Sequence, residues 1–308
     1  MSFTTRINNY TNSVTAENLV DALKKGVDYT LGVVQQNNPE MLRLFALNIS
    51  TGTRVADIDW ANDYKASYLL DVSRNDKYCK PVSEHQKADA INPKSIYYAL
   101  PNDPVYWLSS GEAKINVKPT PASDTVKIDI VISSAGRTIT DSTESIRMTN
   151  IALGGVTQNF TADTCFPKSF YELVVLHASD CILTERLADF RASIPAGLDA
   201  EFDDALAKAK TLFDDGANIQ GDNAGASMSV QYWLSDEDED MSSATLQAIS
   251  SEIQRANSYA LKFKTDLEKI ATDYQWTQGQ LQLINSKKQE FIQSQILQGP
   301  QKAEENKA

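Results

Sequence analysis

At 308 residues, 42% hydrophobic and 23% charged, the chain has the composition of a folded globular protein of one large or two ordinary domains, which excludes a chain disordered as a whole. Forty-one acidic against 29 basic side chains leave a net charge of −12, and this excludes a broad nucleic-acid-binding surface, because neutralising phosphates needs clustered Lys and Arg. Three scattered cysteines (Cys79, Cys165, Cys181) with no CxxC pair predict buried or idle thiols in a reducing setting, not a disulfide framework or a zinc site. Met1 to Arg6 shows no apolar signal segment, and no apolar run is long enough to span a bilayer.

In chain order, Thr15 is placed to cap a helix carrying Leu19, Val20, Leu23, Val27, Leu31 and Val34 at helical steps. Gly26 and Gly32 weaken it, and Asn37-Asn38-Pro39 breaks it near Gln36. Pro39 then suits the first turn of a shorter helix through Met41, Leu44, Phe45 and Leu47. From about Ala66 the period becomes alternating. Tyr68, Leu70 and Val72 predict one strand and Lys77 to Val82 a second. Ser95 to Leu100 is a short aromatic stretch before the turn Pro101 to Pro104. Val105 to Leu108, Lys114 to Lys118 (Ile115 and Val117 on one face) and Val126 to Ile132 (Val126, Ile128, Ile130 and Ile132 against Lys127 and Asp129) follow as strands. Short strands between Pro, Asn, Asp and Gly turns predict an antiparallel sheet or small sandwich. Residues 133–162, rich in Ser, Thr, Gly and Asn, read as a long excursion with one extra strand at most. Helix returns after Phe166-Pro167, with Phe170, Leu173, Val174, Leu176, His177, Cys181, Ile182 and Leu187 continuing to about Phe190. A further helix, Leu198 to Phe213, carries Phe202, Leu206, Ala209 and Phe213 on one face, and 214–229 is a polar loop.

The last segment is the most informative. The acidic run 236–240 suits a helix N-terminus by capping and dipole. Then Leu246, Ile249, Ile253, Ala256, Ala260, Phe263, Leu267, Ile270, Tyr274, Thr277, Leu281, Ile284, Lys288 and Phe291 step by three and four, with no proline before Pro300. Leu246 to Phe291 predicts a helix roughly 70 Å long at about 1.5 Å per residue, too long to bury its whole stripe on one small domain. A two-stranded zipper prefers Leu, Ile or Val throughout its seam, so Ala256, Ala260, Thr277 and Lys288 favour a bundle instead. The expectation is a helix packed on the two before it, its distal part reaching a partner through Leu267, Ile270, Tyr274, Leu281, Ile284 and Phe291.

No constellation for catalysis stands out. The two histidines, His85 and His177, lie far apart; His85 reads as a surface residue and His177 as a packed, hydrogen-bonded imidazole. Asp214 to Gly225 lacks the ligand spacing of a calcium loop, Gly154-Gly155 lacks the partners of a phosphate loop, and no nucleophile elbow occurs. Tyr97, Tyr98, Tyr106 and Trp107 could form a stacking platform, but core and cross-strand packing is the expected role. The reading is of a protein without enzymatic activity, cofactor or metal.

Ile91-Asn92-Pro93-Lys94-Ser95-Ile96-Tyr97-Tyr98-Ala99, Asp103-Pro104-Val105-Tyr106-Trp107 and Lys114-Ile115-Asn116-Val117-Lys118-Pro119 follow one another in a way that resembles tailed-bacteriophage head-to-tail adaptor or neck proteins. Cys165-Phe166-Pro167-Lys168-Ser169-Phe170-Tyr171-Glu172, opening an amphipathic run, resembles that group's helix start, and a polar loop and a long Gln- and Glu-rich helix close both. The likeness spans roughly residues 90–298. It implies a homo-oligomeric ring, commonly dodecameric, between the portal protein and the next neck or tail component of the virion, assembled in the host cytoplasm. Genome DNA would pass through the lumen without sequence-specific contact, and no membrane is involved. The heptads are more regular than portal docking alone requires, which leaves a trimeric coiled-coil fibre, collar or other appendage as the alternative.

The expected fold is α+β: a helical bundle with a long C-terminal helix and an inserted antiparallel sheet or sandwich. Residues 1–65 form N-terminal helices that join the bundle, 66–162 the β domain, and 163–308 the bundle with its long helix and a flexible tail.

Overall fold

The structure, a computed structural model, describes residues 2–12, 16–52, 58–59, 66–109, 114–120, 126–148, 151–153, 156–158, 166–195, 197–198, 200–213, 229–235 and 237–298. The fold is mixed α+β, with antiparallel sheets and a long C-terminal helix. Contacts group the chain into two compact units, Met1–Thr184 with Gln280–Ala308, and Glu185–Gly279. The expected boundaries 65/66 and 162/163 both lie inside the first unit, and two long helices, Tyr171–Ser193 and Glu239–Phe291, each contribute residues to both units.

In the first unit, α1 (Phe3–Thr11) was not foreseen; Ser2 caps it by accepting the Thr5 amide at 3.1 Å. α2 (Ala16–Asn37) buries Leu19, Leu23, Val27, Leu31 and Val34, while Val20 falls outside the buried stripe at 39% exposed. Its expected cap, Thr15, lies outside the described residues. The helix foreseen after Pro39 is only a 3-10 turn, Pro39–Phe45, and Leu47 belongs instead to β1 (Ala46–Gly52). Leu47-Asn48-Ile49-Ser50 alternates, and pairing with β8 (Val126–Ile132) satisfies its backbone, so residues 1–65 are not all helical.

β3 (Ala66–Arg74) and β4 (Lys77–Tyr78) complete one sheet in the order β1-β8-β3-β4; β2 (Ile58–Asp59), β7 (Lys114–Lys118), β6 (Val105–Ser109) and β5 (Lys80–Pro81) form a second in the order β2-β7-β6-β5. The single strand expected over Lys77 to Val82 is split at Cys79, its halves serving different sheets. β5 pairs with β6 in parallel, while the other described ladders are antiparallel. One core lies between the sheets: Ile49, Val72, Ile128 and Ile130 from the first meet Ile115 and Val117 from the second. A second core covers the other face of the first sheet, where Val131 joins Phe3, Ile7, Leu23, Phe45, Phe166, Phe170 and Val174. β8 is therefore buried on both sides.

Tyr68, Leu70 and Val72 lie in one strand as expected, but they do not share a face. Tyr68 and Leu70 pack on the helical core, but a register shift between Leu69 and Asp71 turns Val72 toward the sandwich. An extra residue in a strand inverts everything after it. Residues 133–162 also differ from expectation. They hold two hairpins, β9 (Arg137–Thr140) with β10 (Ser145–Met148) and β11 (Ile151–Leu153) with β12 (Val156–Gln158). A short helix, α3 (Lys87–Ile91), was likewise unforeseen.

α4 (Tyr171–Ser193) follows Phe166-Pro167 as expected. It meets α2 closely at Gly26, where an added Cβ would sit 2.5 Å from the Val174 carbonyl oxygen. Asp28 of α2 accepts from the Ser134 amide (2.9 Å) and hydroxyl (2.6 Å), tying helix to sheet connection.

In the second unit, α5 (Ala200–Phe213) buries Ala205 and Ala209, whereas Leu206 and Phe213 of the expected face are exposed at 43% and 53%. The small residues permit close approach, and Ala209 forms a core with Val230 of α6 (Val230–Ser235) and Ile249 of α7 (Glu239–Phe291). The acidic run does open α7 as foreseen: Asp238 Oδ1 accepts the Met241 amide at 3.0 Å, with Glu239 and Asp240 in the first turn. Arg255 bridges α7 to α5 through Asp204 at 2.9 Å.

Candidate functional site

The long seam is not one continuous surface. Ile249, Ala256, Thr277, Ile284 and Lys288 are buried, while Leu246, Ile253 and Tyr274 are exposed at 49%, 44% and 40%. Between residues 257 and 276 no side chain is buried. There, in the second unit, the end of α4 and the middle of α7 enclose a groove of about 650 Å³ lined by Leu187, Phe190, Ile194, Leu267, Ile270 and Tyr274. Phe190 and Tyr274 meet edge to face with ring centroids 6.3 Å apart. The Tyr274 hydroxyl is held by Gln278 Nε2 at 2.9 Å, which keeps the ring on the groove wall.

Of the six docking residues expected from the heptads, the structure brings Leu267, Ile270 and Tyr274 together in this groove. The other three belong to the first unit. Ile284 is fully buried, Phe291 packs 5.9 Å from the Phe170 ring and Leu281 is half-buried. Full burial withdraws Ile284 from docking, while Phe291, packed on the helical core, stays half-buried like Leu281. Sequence reasoning missed the opposite wall. Leu187 and Phe190 were legible as amphipathic positions, but nothing local marks Ile194 as part of the same surface.

The aromatic cluster divides in the same way. Trp107 is buried with Ala90, Ala99 and Val105, and Tyr106 packs on the sandwich core, as expected of cross-strand residues. Tyr97 and Tyr98 do not follow: Ile96, Tyr97 and Tyr98 are exposed at 90%, 69% and 38%. They sit in a turn between Pro93 and Pro101 with no strand to bury them. A signal was present, since apolar residues between turn-forming prolines have no period by which to reach a core.

His177 lies among polar groups of three helices in the first unit. Its ring stacks on Tyr29 at 4.0 Å and 1° between planes, and Nε2 lies 3.6 Å from Cys181 Sγ. Packing is as foreseen, but full hydrogen bonding is not: Nδ1 is buried without a hydrogen-bond partner and is 3.9 Å from Asp180 Oδ2. Burial, followed by the charge of Lys288, lowers its pKa to about 4. The buried Lys288 is paired with Asp180 at 2.7 Å and lies over the Tyr29 ring at 5.4 Å. A neutral imidazole beside a mutually neutralised ion pair joins α2, α4 and α7, and explains a lysine at a heptad core position. Nearby, Glu172 of α4 pairs with Arg6, and Tyr10 stacks under Lys287 at 4.8 Å.

His85 is exposed. Cys79 is fully buried and its thiol is pushed up to about 11 by burial. Among the described residues no three His, Cys, Asp or Glu side chains gather as a metal site, and no helix is long and apolar enough to cross a membrane. No protein-family model matches the chain, and no characterised protein matches it significantly.

Proposed function

We propose that the chain is a non-enzymatic structural subunit of a tailed-phage virion, a head-to-tail adaptor. In this reading it forms a ring between the portal and the next neck or tail component, with the genome passing through the lumen. The observation that carries the reading is the middle of α7, where Phe263, Leu267, Ile270 and Tyr274 continue a heptad seam through a stretch without one buried side chain. An apolar groove left open along a helix is what a subunit presents before its neighbours are added. The motifs between residues 91 and 119 that resemble phage neck proteins supply the kind of assembly. The polar cluster around His177 adds support, because its ion pair is spent on holding helices together.

Electron microscopy of the assembled particle tests this. The expected result is several copies of the chain around the axis at the head–tail junction; a position elsewhere in the particle, or none, overturns it. A trimeric fibre or collar protein is the second reading, favoured by the exposure of the seam residues Leu246, Ile253 and Tyr274. A solution mass of three chains, lost on substituting these three residues, would select it.

A further inference from the structure

The chain carries a second apolar surface besides the groove. Six large apolar side chains, Tyr78, Ile91, Ile96, Tyr97, Tyr98 and Leu100, are exposed within residues 78–100. The segment that presents Ile96 and Tyr97 is well braced. The Ser95 amide donates to Asn92 O at 2.9 Å, the Tyr97 amide to Ser95 Oγ at 3.1 Å and the Ala99 amide to Ala90 O at 3.1 Å. Beneath it the Ala90, Ala99, Val105 and Trp107 core anchors the turn. A knob fixed in this way loses little conformational entropy when it docks.

Charge distinguishes what the groove can accept. The second unit, residues 185–279, holds 18 acidic and 8 basic side chains, a net −10 of the chain's −12. Pairing two grooves face to face would bring two such units together and is opposed by their repulsion. Around the knob, residues 77–103 carry Lys77, Lys80, Lys87 and Lys94 against Glu84, Asp89 and Asp103, a net +1. At the groove, Asp189 and Asp273 are exposed beside Phe190 and Tyr274. Lys269 is exposed there too, so the attraction comes from the unit as a whole.

We propose that the Ile96–Tyr97 knob of one copy seats in the Phe190–Tyr274 groove of a second copy of this chain. The two surfaces differ, so the contact is heterologous: each subunit gives a knob to one neighbour and a groove to the other. Such a contact closes into a ring when its rotation divides a full turn. The inference rests on the ring reading and names the contact that would build the ring.

Two surface variants test it, a knob variant Ile96→Asp/Tyr97→Asp and a groove variant Ile194→Asp/Tyr274→Ser, each first checked for a wild-type circular dichroism spectrum. Sedimentation of the full chain should show wild-type oligomers and, for each variant alone, association weakened about 100-fold or more, the loss typical of an aromatic hot spot. Mixed in equal amounts, the two variants keep one intact knob and one intact groove between them, so they should stop at a 1:1 dimer. A monomeric wild type, oligomers that survive both variants, or a mixture that stays monomeric each overturn the contact. Oligomers surviving both variants would leave the ring reading standing on another interface, whereas the particle image decides the ring reading independently.

Discussion

Gly26→Ala sets two opposing effects against each other. In the interior of α2, alanine is favoured over glycine by roughly 1 kcal/mol, through lower backbone entropy in the unfolded chain. Against this, the new Cβ would lie 2.5 Å from the Val174 carbonyl oxygen, 3.1 Å from Val174 Cγ1 and 3.2 Å from the carbonyl carbon, where ordinary contact begins at 3.4 Å. The obstacle is helix backbone, which cannot rotate aside as a side chain can. α2 and α4 must separate by nearly an ångström, and they do so where Leu23, Val27, Leu173 and Val174 are all fully buried. Overpacking of this kind costs about 1–3 kcal/mol, sometimes more, and set against the gain from alanine it leaves a net destabilisation of about 1 kcal/mol. Gly32, on the same helix, is the control: nothing lies within 4 Å of its added Cβ. Gly32→Ala should therefore stabilise by up to about 1 kcal/mol. Urea unfolding, with hydrogen exchange of the α2 amides as a readout local to the first unit, should rank Gly32→Ala above wild type and Gly26→Ala below it. A Gly26→Ala protein at least as stable as wild type would refute the close approach.

Folded His177 titrates near 4 instead of its ordinary 6.5, so the unfolded chain binds the proton first as pH falls. The stability this linkage supplies is complete above pH 6.5 and is lost toward pH 4, about 3 kcal/mol in all; His177→Gln should remove that part of the pH dependence, and equal profiles would contradict it. Lys288→Met, which strips Asp180 of its counter-ion, should cost about 2 kcal/mol and let His177 titrate at higher pH by NMR. An unmoved His177 would mean that the lysine contributes nothing to its shift. Asp238→Ala should destabilise the start of α7 by about 1 kcal/mol, seen as faster exchange of the Met241 amide, and unchanged exchange would rule out the cap. Native-state alkylation should modify the half-buried Cys181 before the fully buried Cys79; comparable rates would show that burial does not protect Cys79.

Much of the fold is legible as local pattern. Heptad steps without proline make α7 helical whatever surrounds it, and the alternation in β7 and β8 correctly gives Ile115 with Val117, and Val126, Ile128 and Ile130, as buried faces. Pattern fixes which residues share a face. It does not fix what that face meets. Ile270 and Ile284 stand at equivalent steps of one seam, yet Ile284 is fully buried within the first unit and Ile270 lines an open groove. Trp107 and Tyr97 belong to one aromatic cluster in the sequence, but a strand carries the first into a core and a turn holds the second in solvent. Likewise the register shift after Leu69, invisible in composition, sends Val72 to the face opposite Leu70. In each case periodicity acts over a few residues along the chain, while burial depends on partners brought from distant positions, and only the tertiary structure supplies those.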